Sequence, residues 1–528
     1  MATSLSDDPS LRKDDTIPEP PFSRLLIANR GEIAIRVIRA CRDLGIESVA
    51  VYSDADVHDL HVMLADRAER IGAAPAAESY LSIESILAAA RRSGAEAVHP
   101  GYGFLSENAA FADAVEAAGL VFVGPPAATL AALGDKLAAR RTAIAAGVPI
   151  VPGLSVALQA DGSGHTADEL ARVGFPALLK AAAGGGGRGM RQVERAEEIG
   201  PALALARQEA SAAFGDGTIY LERLIAPARH IEVQLLGDRF GNLAVLGERE
   251  CSVQRRHQKL VEETPSAAVT PAIRQALFDS ARRIATAVDF HNVATVEFLL
   301  DADGAHYFLE MNTRLQVEHG VTELVTGLDL VGWQIRVAAG EHLPAELLDA
   351  PRRGHAIEVR LYAEDPHDQF RPSAGMVTAW QMPSGPGIRV DAGVEAGTSL
   401  SPEYDPLLAK LMVHGADRPA ALARLRRALD ETVIGGVQTD LSFHRWLVDE
   451  PDFVTGAYDT GLIAERWGDG PPVSVEDAAI AVFVAARARS NGVAGATGEG
   501  RRDGVGRPRD GGWAVEGRQQ AVKRRRPA

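Results

Sequence analysis

The sequence predicts a multidomain protein of mixed α/β and α+β class, on the strength of three observations. The chain has 528 residues, well beyond the roughly 100–200 residues of one domain. Between residues 22 and 135, strand-like and helix-like segments alternate, which is typical of a domain built on a parallel sheet. From residue 136 onwards this alternation stops, which indicates two α+β units, a central domain over 136–350 and a smaller one over 351–466.

The elements of the first domain follow from hydrophobic periodicity. Residues 25–28 favour a strand, and residues 32–44 favour a helix because apolar side chains recur there at helical spacing. The same reasoning predicts strands over 48–52, 95–98 and 120–123 and helices over 83–92 and 109–118. The first turn reads Asn-Arg-Gly-Glu and lacks the G-x-G-x-x-G fingerprint, so no nicotinamide site is expected there.

In the central domain, strands are predicted over 175–180 and 190–193, on either side of a glycine-rich loop. Thr270 and Pro271 predict the start of a helix that reaches about residue 288, since Thr caps helices and Pro is favoured at the first helical position. The last unit is predicted to hold strands over 357–361 and 388–390 and a helix over 419–429.

The two ends of the chain depart from this pattern. Residues 1–21 have no apolar core, fit neither a signal peptide nor a basic transit peptide, and are predicted to be a disordered lead. Residues 467–528 are predicted to be a linker followed by a basic tail rich in Gly and Arg. The tail is either unstructured or a functional basic patch.

Composition excludes several classes of protein. The formal net charge of -16 argues against a protein that binds nucleic acid or an anionic membrane. No apolar run approaches the roughly 18 residues needed to span a bilayer. Only two cysteines occur, Cys41 and Cys251, which favours a reducing compartment over a disulfide framework. We therefore expect a cytoplasmic protein.

The most informative segment is a predicted β-hairpin over residues 296–319. Asp303 and Gly304 predict a two-residue turn between two apolar, strand-like runs. Counting outward from that turn places Glu297 directly opposite Glu310. Like charges in directly opposed positions repel, so this pair calls for a cation or a shared proton.

Beyond Glu310, polar residues recur at every second position. An extended backbone points alternate side chains the same way, so one row would face one pocket. The row consists of Glu310, Asn312, Arg314, Gln316 and Glu318. The residues that alternate with this row are mostly apolar and suit a hydrophobic core. Carboxylates and amides beside a guanidinium indicate a site for a metal and an anion.

The glycine run over residues 181–190 has two interpretations. Its formal G-x-G-x-x-G match does not open a helix but runs into a strand-like segment, and no Walker sequence occurs. The run is either a flexible linker or a mobile lid whose backbone N–H groups close on phosphates, with Lys180 at the strand end. Its position between two strands favours the lid.

Several cationic residues could bind phosphate beside this site, although each has an ordinary structural explanation when taken alone. Residues 248–259 cluster basic side chains and include Gln254, which suits a phosphate cradle as well as a solvated strand. The residues whose ordinary explanation is structural are His230, Lys136 and Arg360. Oxygen ligands, lysines and a glycine lid are typical of magnesium-nucleotide chemistry, and therefore of a ligase that forms an acyl phosphate from ATP.

Eight segments, in this order, resemble the biotin carboxylase family of the ATP-grasp superfamily. They are IANRGEIAIRVIRA (27–40), HPGYGFLSEN (99–108), GDK (134–136), GGGGRGM (184–190), RHIEVQ (229–234), ECSVQRRHQK (250–259), EMNTRLQVEH (310–319) and GHAIEVRLYAEDP (354–366). Together they span most of residues 22–466. The resemblance implies an N-terminal α/β domain, a central ATP-grasp domain with a glycine-rich lid over about 155–225, and a C-terminal α+β domain.

The resemblance also implies roles, residue by residue. ATP would be contacted by Lys136, Lys180, His230, His257 and Gln254, by Gly186 and Gly187 of the lid, and by Glu222 and Ile225 at the adenine. Magnesium or manganese would be held by Glu297, Glu310 and Asn312. Bicarbonate would be bound by Lys259, Arg314, Gln316 and the Val317 backbone. Glu318 would be its base, and Arg360 would stabilise the biotin enolate.

The implied reaction carboxylates biotin through carboxyphosphate, with ATP and bicarbonate as substrates. Gly320 stands where the family usually has Pro, and Ala183 where a further Gly is common. No A-M-K-M biotinylation motif occurs, so we expect a separate biotin carboxyl carrier protein and a carboxyltransferase subunit as partners. The family further implies a homodimer.

The resemblance leaves the acyl acceptor open. An acetyl-CoA or propionyl-CoA carboxylase, acting in fatty acid synthesis, is the leading hypothesis. A truncated α subunit of a pyruvate, methylcrotonyl-CoA or urea carboxylase is an alternative. A non-catalytic regulatory subunit that binds nucleotide is a third, but it would be expected to have lost a metal or base residue, and none of these is missing.

Overall fold

The computed structural model describes residues 21–154, 157–158, 165–182, 190–468 and 470. Residues 1–20 of the predicted lead over 1–21 lie outside this part of the chain, and so do lid residues Gly186 and Gly187. The same holds for residues 469 and 471–528 of the predicted linker and tail over 467–528. Within it, no helix is long and apolar enough to cross a membrane.

The N-terminal region is a parallel α/β unit, as predicted. Its strands are β1 (Arg24–Ile27), β2 (Glu47–Ser53), β3 (Arg67–Gly72), β4 (Ala97–His99) and β5 (Val121–Phe122). Its helices are α1 (Gly31–Asp43), α2 (Leu60–Leu64), α3 (Ile83–Ser93), α4 (Ala109–Ala117) and α5 (Ala127–Gly134). All strand pairs are parallel, in the order β3-β2-β1-β4-β5. Each predicted element lies within two residues of its observed position.

Three elements of this region escaped the sequence patterns, α2, β3 and α5. Strand β3 is an edge strand of the sheet, and only one of its six residues, Ile71, is buried. An edge strand needs few apolar residues because one side faces water, so hydrophobic periodicity does not indicate it.

The central region contains a small sheet and the start of a large one. Its helices are α6 (Lys136–Ala145), α7 (Ala167–Val173), α8 (Ile199–Phe214), α9 (Pro271–Ala287), α10 (His319–Thr326), α11 (Leu330–Ala338) and α12 (Ala345–Leu348). Its strands are β6 (Ala177–Ala181), β7 (Arg191–Val193), β8 (Ile219–Arg223), β9 (Ala228–Gly237), β10 (Leu243–Arg255), β11 (Gln258–Thr264), β12 (Asn292–Asp301) and β13 (His306–Asn312). Thr270 caps α9 by accepting from the Ile273 amide, which confirms the predicted start.

The C-terminal region adds strands to the same large sheet. Its strands are β14 (His355–Tyr362), β15 (Glu364–Asp365), β16 (Arg371–Pro372), β17 (Gly375–Met376), β18 (Ala379–Gln381), β19 (Ile388–Ala392), β20 (Ser399–Leu400), β21 (Leu407–Gly415) and β22 (Val433–Gly435). Its helices are α13 (Arg418–Glu431), α14 (Leu441–Leu447) and α15 (Pro451–Thr455). The large sheet runs β13-β12-β9-β10-β11-β14-β21-β19 and therefore continues across residue 350 through the β11–β14 pair.

The predicted two-residue turn of the hairpin is wrong. The Asp301 amide donates to the Ala305 carbonyl (2.9 Å), so three residues, 302–304, form the loop. Gly304 adopts φ +84, the left-handed conformation that such a loop requires. Near the loop the strands pair one residue out of the predicted register. A bulge between Glu297 and Phe298 then restores the predicted pair, Glu297 opposite Glu310.

The predicted extended row also needs correction. Strand β13 ends at Asn312, the chain then turns, and Glu318 directly precedes α10. The side chains of the row still converge, because the turn returns them to the strands beside Glu297. Their common pocket is therefore produced by a turn, not by strand alternation.

Candidate active site

The site lies on one face of the central antiparallel strands. Strand β9 carries His230 and Glu232, and β12 places Glu297 directly opposite Glu232. On the other side of β9, Arg249 of β10 is opposite Glu232. All four side chains are buried. Because burial of ionisable groups is costly unless they are paired, this arrangement indicates a built site rather than an ordinary sheet surface.

The Lys259 ammonium is the centre of the cluster. It donates to three carboxylates, those of Glu232 (2.6 Å), Glu297 (2.9 Å) and Glu318 (2.7 Å). Burial alone would lower the pKa of Lys259, but these carboxylates raise it well above its ordinary value. The ammonium is therefore charged and joins strand β11 to the turn before α10.

Glu318 is fully buried and is paired on both oxygens. Its Oε1 accepts from Lys259, and its Oε2 accepts from Arg360 (2.9 Å). Burial opposes ionisation, but Lys259, Arg360 and Arg249 together hold the pKa of Glu318 well below its ordinary value. Glu318 is thus ionised, the state in which its predicted role as a base begins, while its two cationic partners weaken its basicity.

Arg360 lies between two carboxylates. It donates to Glu318 and also, through Nε (2.7 Å), to Glu262 Oε1. Burial, with the neighbouring Glu318 carboxylate, raises the pKa of Glu262 to about 7 against the opposing effect of Arg360. These two contacts hold the guanidinium in a fixed position within the cluster.

The proposed metal ligands meet at Glu297. Its Oε1 accepts from Asn312 Nδ2 (2.8 Å) and its Oε2 lies 2.8 Å from His230 Nε2. Glu310 is about one third exposed, and Lys136 lies 3.6 Å from its Oε2. Carboxylate and amide oxygens suit a hard divalent cation such as magnesium, so the donor set fits the predicted metal.

Glu297 also belongs to a second set of possible ligand atoms. Those of His230, Glu232 and Glu297 all lie within 4.8 Å of one another. The Lys259 ammonium already contacts both carboxylates of this group. Since the ammonium supplies the balancing charge there, the exposed Glu310 side remains the better place for a cation.

Arg314 is held close to the cluster by several acceptors. Its Nε donates to Glu107 (2.9 Å), its Nη1 to Gln316 Oε1 (3.0 Å) and its Nη2 to Asn312 Oδ1 (3.1 Å). The amide of Thr313 donates to the same Glu107 carboxylate (3.1 Å). The predicted anion-binding residues are therefore adjacent, and Glu107 of the N-terminal unit orients them.

A second group of paired charges lies at strands β6 and β8. Glu222 accepts from Arg140 (2.6 Å) and from Lys180 (2.8 Å), and all three are buried. Burial opposes the charge of Lys180, but Glu222 and its other neighbours raise the pKa of Lys180. Lys180 is thus a charged group at the end of β6, as its predicted contact with phosphate requires.

The remaining predicted nucleotide residues are less enclosed. Lys136 begins α6 beside Glu310, and His257 is exposed in the turn between β10 and β11. Gln254 is half-buried near the end of β10, and Ile225 is half-buried in the segment between β8 and β9. Their roles stay predictions, and so do those of Gly186 and Gly187, which lie outside the described residues.

The predicted site residues did not include five charged residues that complete these clusters. They are Glu107, Arg140, Glu232, Arg249 and Glu262. Glu232 had a signal, since it shares strand parity with His230. Arg249 had one too, within the basic segment. Glu262 had none, because two adjacent glutamates in a strand do not indicate which partner either one meets across the sheet.

Gly320, where the family usually has Pro, packs closely against Met412. A Cβ at this position would lie 2.3 Å from the Met412 sulfur. The glycine therefore allows α10 to approach β21, and it removes none of the residues proposed for catalysis.

Three family models match successive parts of the chain. They are the biotin carboxylase N-terminal domain over residues 21–130, the carbamoyl-phosphate synthase L chain ATP binding domain over 135–346, and the biotin carboxylase C-terminal domain over 358–465.

Individual proteins resemble the chain over most of its length. A biotin carboxylase of Halalkalibacterium halodurans is 48% identical over 446 residues, which cover 84% of this chain and 98% of the relative. The methylcrotonoyl-CoA carboxylase subunit alpha of Mus musculus is 44% identical and matches 87% of this chain and 64% of its own length. The solved biotin carboxylase domain dimer of the Hydrogenobacter thermophilus 2-oxoglutarate carboxylase, with MgADP, ADP and bicarbonate, is 43% identical. It aligns with a TM-score of 0.81 over 84% of this chain and 98% of that chain.

The fold, the buried site and the ATP-binding family model define an ATP-dependent ligase of the ATP-grasp type. Within that class, the chain belongs to the biotin carboxylase family and carries the biotin carboxylase function. The resemblance inferred from the eight sequence segments is thereby confirmed. The comparisons leave open which carboxylase system the chain serves.

Proposed function

We propose that this chain carboxylates biotin on a separate carrier protein, with ATP and bicarbonate, as the first half-reaction of an acyl-CoA carboxylase. The observation that carries the proposal is Glu318, an ionised and fully buried carboxylate held between Lys259 and Arg360. When Glu318 takes a proton it loses its own charge, so Lys259 and Arg360 can then balance the charge that the deprotonated bicarbonate gains.

In the first step, bicarbonate binds near Arg314, Gln316 and the Val317 N–H. Glu318 takes its proton, and the freed oxygen attacks the γ-phosphorus of ATP. The bond to the bridging oxygen breaks, so ADP leaves and carboxyphosphate forms. The neighbouring cations Lys259 and Arg314 offset the charge that accumulates on the transferring group.

In the second step, carboxyphosphate separates into carbon dioxide and phosphate. The phosphate removes the ureido proton of biotin, and the resulting enolate attacks carbon dioxide through nitrogen. Arg360 opposes the enolate charge. Hydrogen bonds to Glu262 and Glu318 hold its guanidinium in place for this role.

Other residues bind and orient the nucleotide in this proposal. Those at the phosphates and ribose are Lys136, Lys180, His230, His257, Gly186 and Gly187, and those nearer the base are Glu222, Ile225 and Gln254. Glu297, Glu310 and Asn312 would hold magnesium or manganese, which supplies positive charge at the phosphates.

The test of this proposal is ADP release with ATP, bicarbonate, magnesium and free biotin. We expect release that depends on both bicarbonate and biotin, and loss of release when EDTA removes the metal. Folded protein that releases no biotin-dependent ADP in the presence of magnesium would overturn the proposal. Omission of bicarbonate alone is the matched control for ATP hydrolysis by a contaminant.

The acyl acceptor and the partners form the finer part of the proposal. We propose an acetyl-CoA or propionyl-CoA carboxylase system, a separate biotin carrier, a carboxyltransferase subunit and a homodimeric ligase; a cytoplasmic location stays a prediction. The chain can be combined in turn with the biotinylated carrier and carboxyltransferase of an acetyl-CoA, a propionyl-CoA and a methylcrotonyl-CoA carboxylase system. The rate of acyl-CoA carboxylation with each set would identify the acceptor. Faster turnover with the methylcrotonyl-CoA set would contradict this choice.

A further inference from the structure

The turn over residues 316–318 carries the groups proposed to bind bicarbonate and take its proton. Two of its carbonyls accept hydrogen bonds from buried side chains. His319 Nδ1 lies 2.8 Å from the Gln316 carbonyl, and Lys410 Nζ lies 2.8 Å from the Val317 carbonyl. Both side chains are fully buried, and the reaction steps above use neither.

Lys410 links three parts of the fold. It projects from β21, reaches the Val317 carbonyl and lies 3.2 Å from Glu32 of α1, which in turn accepts from the Tyr102 hydroxyl. Burial lowers the pKa of Lys410, but Glu32 and the other nearby carboxylates raise it above its ordinary value. A buried charge is costly unless it is paired, and Lys410 is paired with Glu32 and hydrogen-bonded to the Val317 carbonyl.

His319 is neutral, and its tautomer is fixed by its contact. Burial and the adjacent Lys410 hold the pKa of His319 well below its ordinary value. A carbonyl can only accept a hydrogen bond, so Nδ1 carries the proton and donates to Gln316. The other ring nitrogen, Nε2, has no hydrogen-bond partner among the described residues.

These contacts control the direction of the groups on the turn. A peptide unit is planar, so a donor on the Gln316 carbonyl also fixes where the Val317 N–H points. In the same way, Lys410 fixes the peptide unit that leads into Glu318.

We propose that His319 and Lys410 are positioning residues that hold the 316–318 turn in its bicarbonate-binding geometry. This inference rests on the proposed function, because it concerns the same site. It extends that function from the residues that would touch bicarbonate to two residues that act through them.

The test compares His319→Leu, His319→Asn and Lys410→Met with the unaltered chain. Leucine and methionine remove the donor, whereas the asparagine amide can donate from nearly the same place as Nδ1. We expect His319→Leu and Lys410→Met to raise the KM for bicarbonate about tenfold or more, since small displacements of a binding group are costly. The KM for ATP should change less than about twofold, and His319→Asn should stay within about threefold of the unaltered chain for both substrates.

His355→Leu is the matched control, because it also removes a buried histidine but one that contacts Glu263 (2.6 Å) instead of the turn. It should lower the melting temperature and leave the KM for bicarbonate unchanged. If Lys410→Met does not fold, the two His319 variants decide the question.

An unchanged KM for bicarbonate in folded His319→Leu, or a parallel rise in the KM for ATP, would overturn the inference while the unaltered chain remains active. An unaltered chain without bicarbonate-dependent ADP release would instead overturn the proposed function, and the inference with it. The two failures are therefore distinguishable.

Discussion

Glu262 and Glu263 are neighbours on β11, and both are fully buried, yet they belong to opposite faces of the sheet. Glu262 faces the active site, where burial raises its pKa to about 7. Glu263 faces the C-terminal core, where burial acts in the same direction but hydrogen bonds from His355 and Arg418 outweigh it and lower the pKa to about 2. Two side chains of one type, one residue apart, thus differ in charge state near neutral pH.

The difference lies in the number of donors that each carboxylate receives. Glu263 Oε1 accepts from Tyr458 (2.5 Å) and Arg418 (3.1 Å), and its Oε2 contacts His355 (2.6 Å) and Arg418 (2.7 Å). Glu262 receives hydrogen bonds from Arg360 on Oε1, and its Oε2 accepts none from the described part of the chain.

The comparison distinguishes a buried glutamate that stabilises the fold from one that belongs to the active site. The Glu263 carboxylate is saturated, so it fixes the junction of β11, β14 and α13 and has no capacity left for a ligand. The acids of the active site share their cations, as Glu262 and Glu318 share Arg360. When one of these acids is protonated, the cation that it shares is left to balance the charge of a substrate anion.

The largest expected effect is that of Glu318→Gln on activity. Loss of the proposed base should lower kcat by about 10²–10⁴-fold, because the amide cannot take the proton of bicarbonate. Bicarbonate-dependent ADP release measures the effect, and circular dichroism checks that the variant is folded. Full activity in this variant would remove Glu318 from the proposed mechanism.

The matching change on the other face, Glu263→Gln, should act on stability instead. Breaking a buried, saturated ion cluster costs about 3–5 kcal/mol, whereas the KM values should stay within about twofold. The midpoint of urea unfolding measures the stability, and initial rates measure the KM values. A variant with the midpoint of the unaltered chain would show that the cluster contributes no net stability.

The same variant tests the pH dependence. The folded-state pKa of Glu263 is depressed from 4.5 to about 2, so its stabilisation is complete above pH 4.5 and is lost as pH falls towards 2. Glu263→Gln should therefore flatten the stability profile on the acid side of pH 4.5. An unchanged acid slope would contradict the assigned charge state.

A smaller effect of opposite sign is expected for Glu262→Gln. The folded-state pKa of Glu262 is raised from 4.5 to about 7, so the unaltered chain loses stability as pH rises between these values. The variant does not lose this stability. Its unfolding free energy should therefore rise relative to that of the unaltered chain by about 1–3 kcal/mol as the pH increases from 5 to 8. Unfolding midpoints at both pH values measure it, and a gain of the same size at pH 5 would contradict a protonated Glu262.

The smallest expected effect is that of Tyr458→Phe, which removes one donor from Glu263 and keeps the ring. It should cost about 1 kcal/mol of unfolding free energy, the usual contribution of one hydrogen bond. The pKa of Glu263 should rise slightly, so the acid loss of stability should begin at a higher pH. Urea unfolding at pH 7 and pH 4 measures both effects, and an identical profile for the two proteins would show that the Tyr458 contact does not stabilise the charge.

Local sequence patterns determined much of the secondary structure of this protein. The N-terminal strands and helices lie close to their predicted positions because hydrophobic periodicity reports which side of each segment is buried. The Glu297–Glu310 pair was also predicted, although by a register that is wrong at the turn and correct only beyond the bulge. An Asp-Gly pair indicates a turn but not its length, and a bulge has no signal in a strand-like pattern.

Only the tertiary structure decided which remote charges meet. Strand β21 carries Lys410 and β14 carries Glu358 and Arg360, and the sequence around each is apolar and strand-like, with nothing to indicate a partner. Adjacent glutamates on β11 likewise acquire different pKa values only when β14 supplies Arg360 on one face and His355 on the other. Periodicity is a property of one segment, whereas the pairing of buried charges depends on strand order, register and a shared low-dielectric environment, which arise only when distant segments pack together.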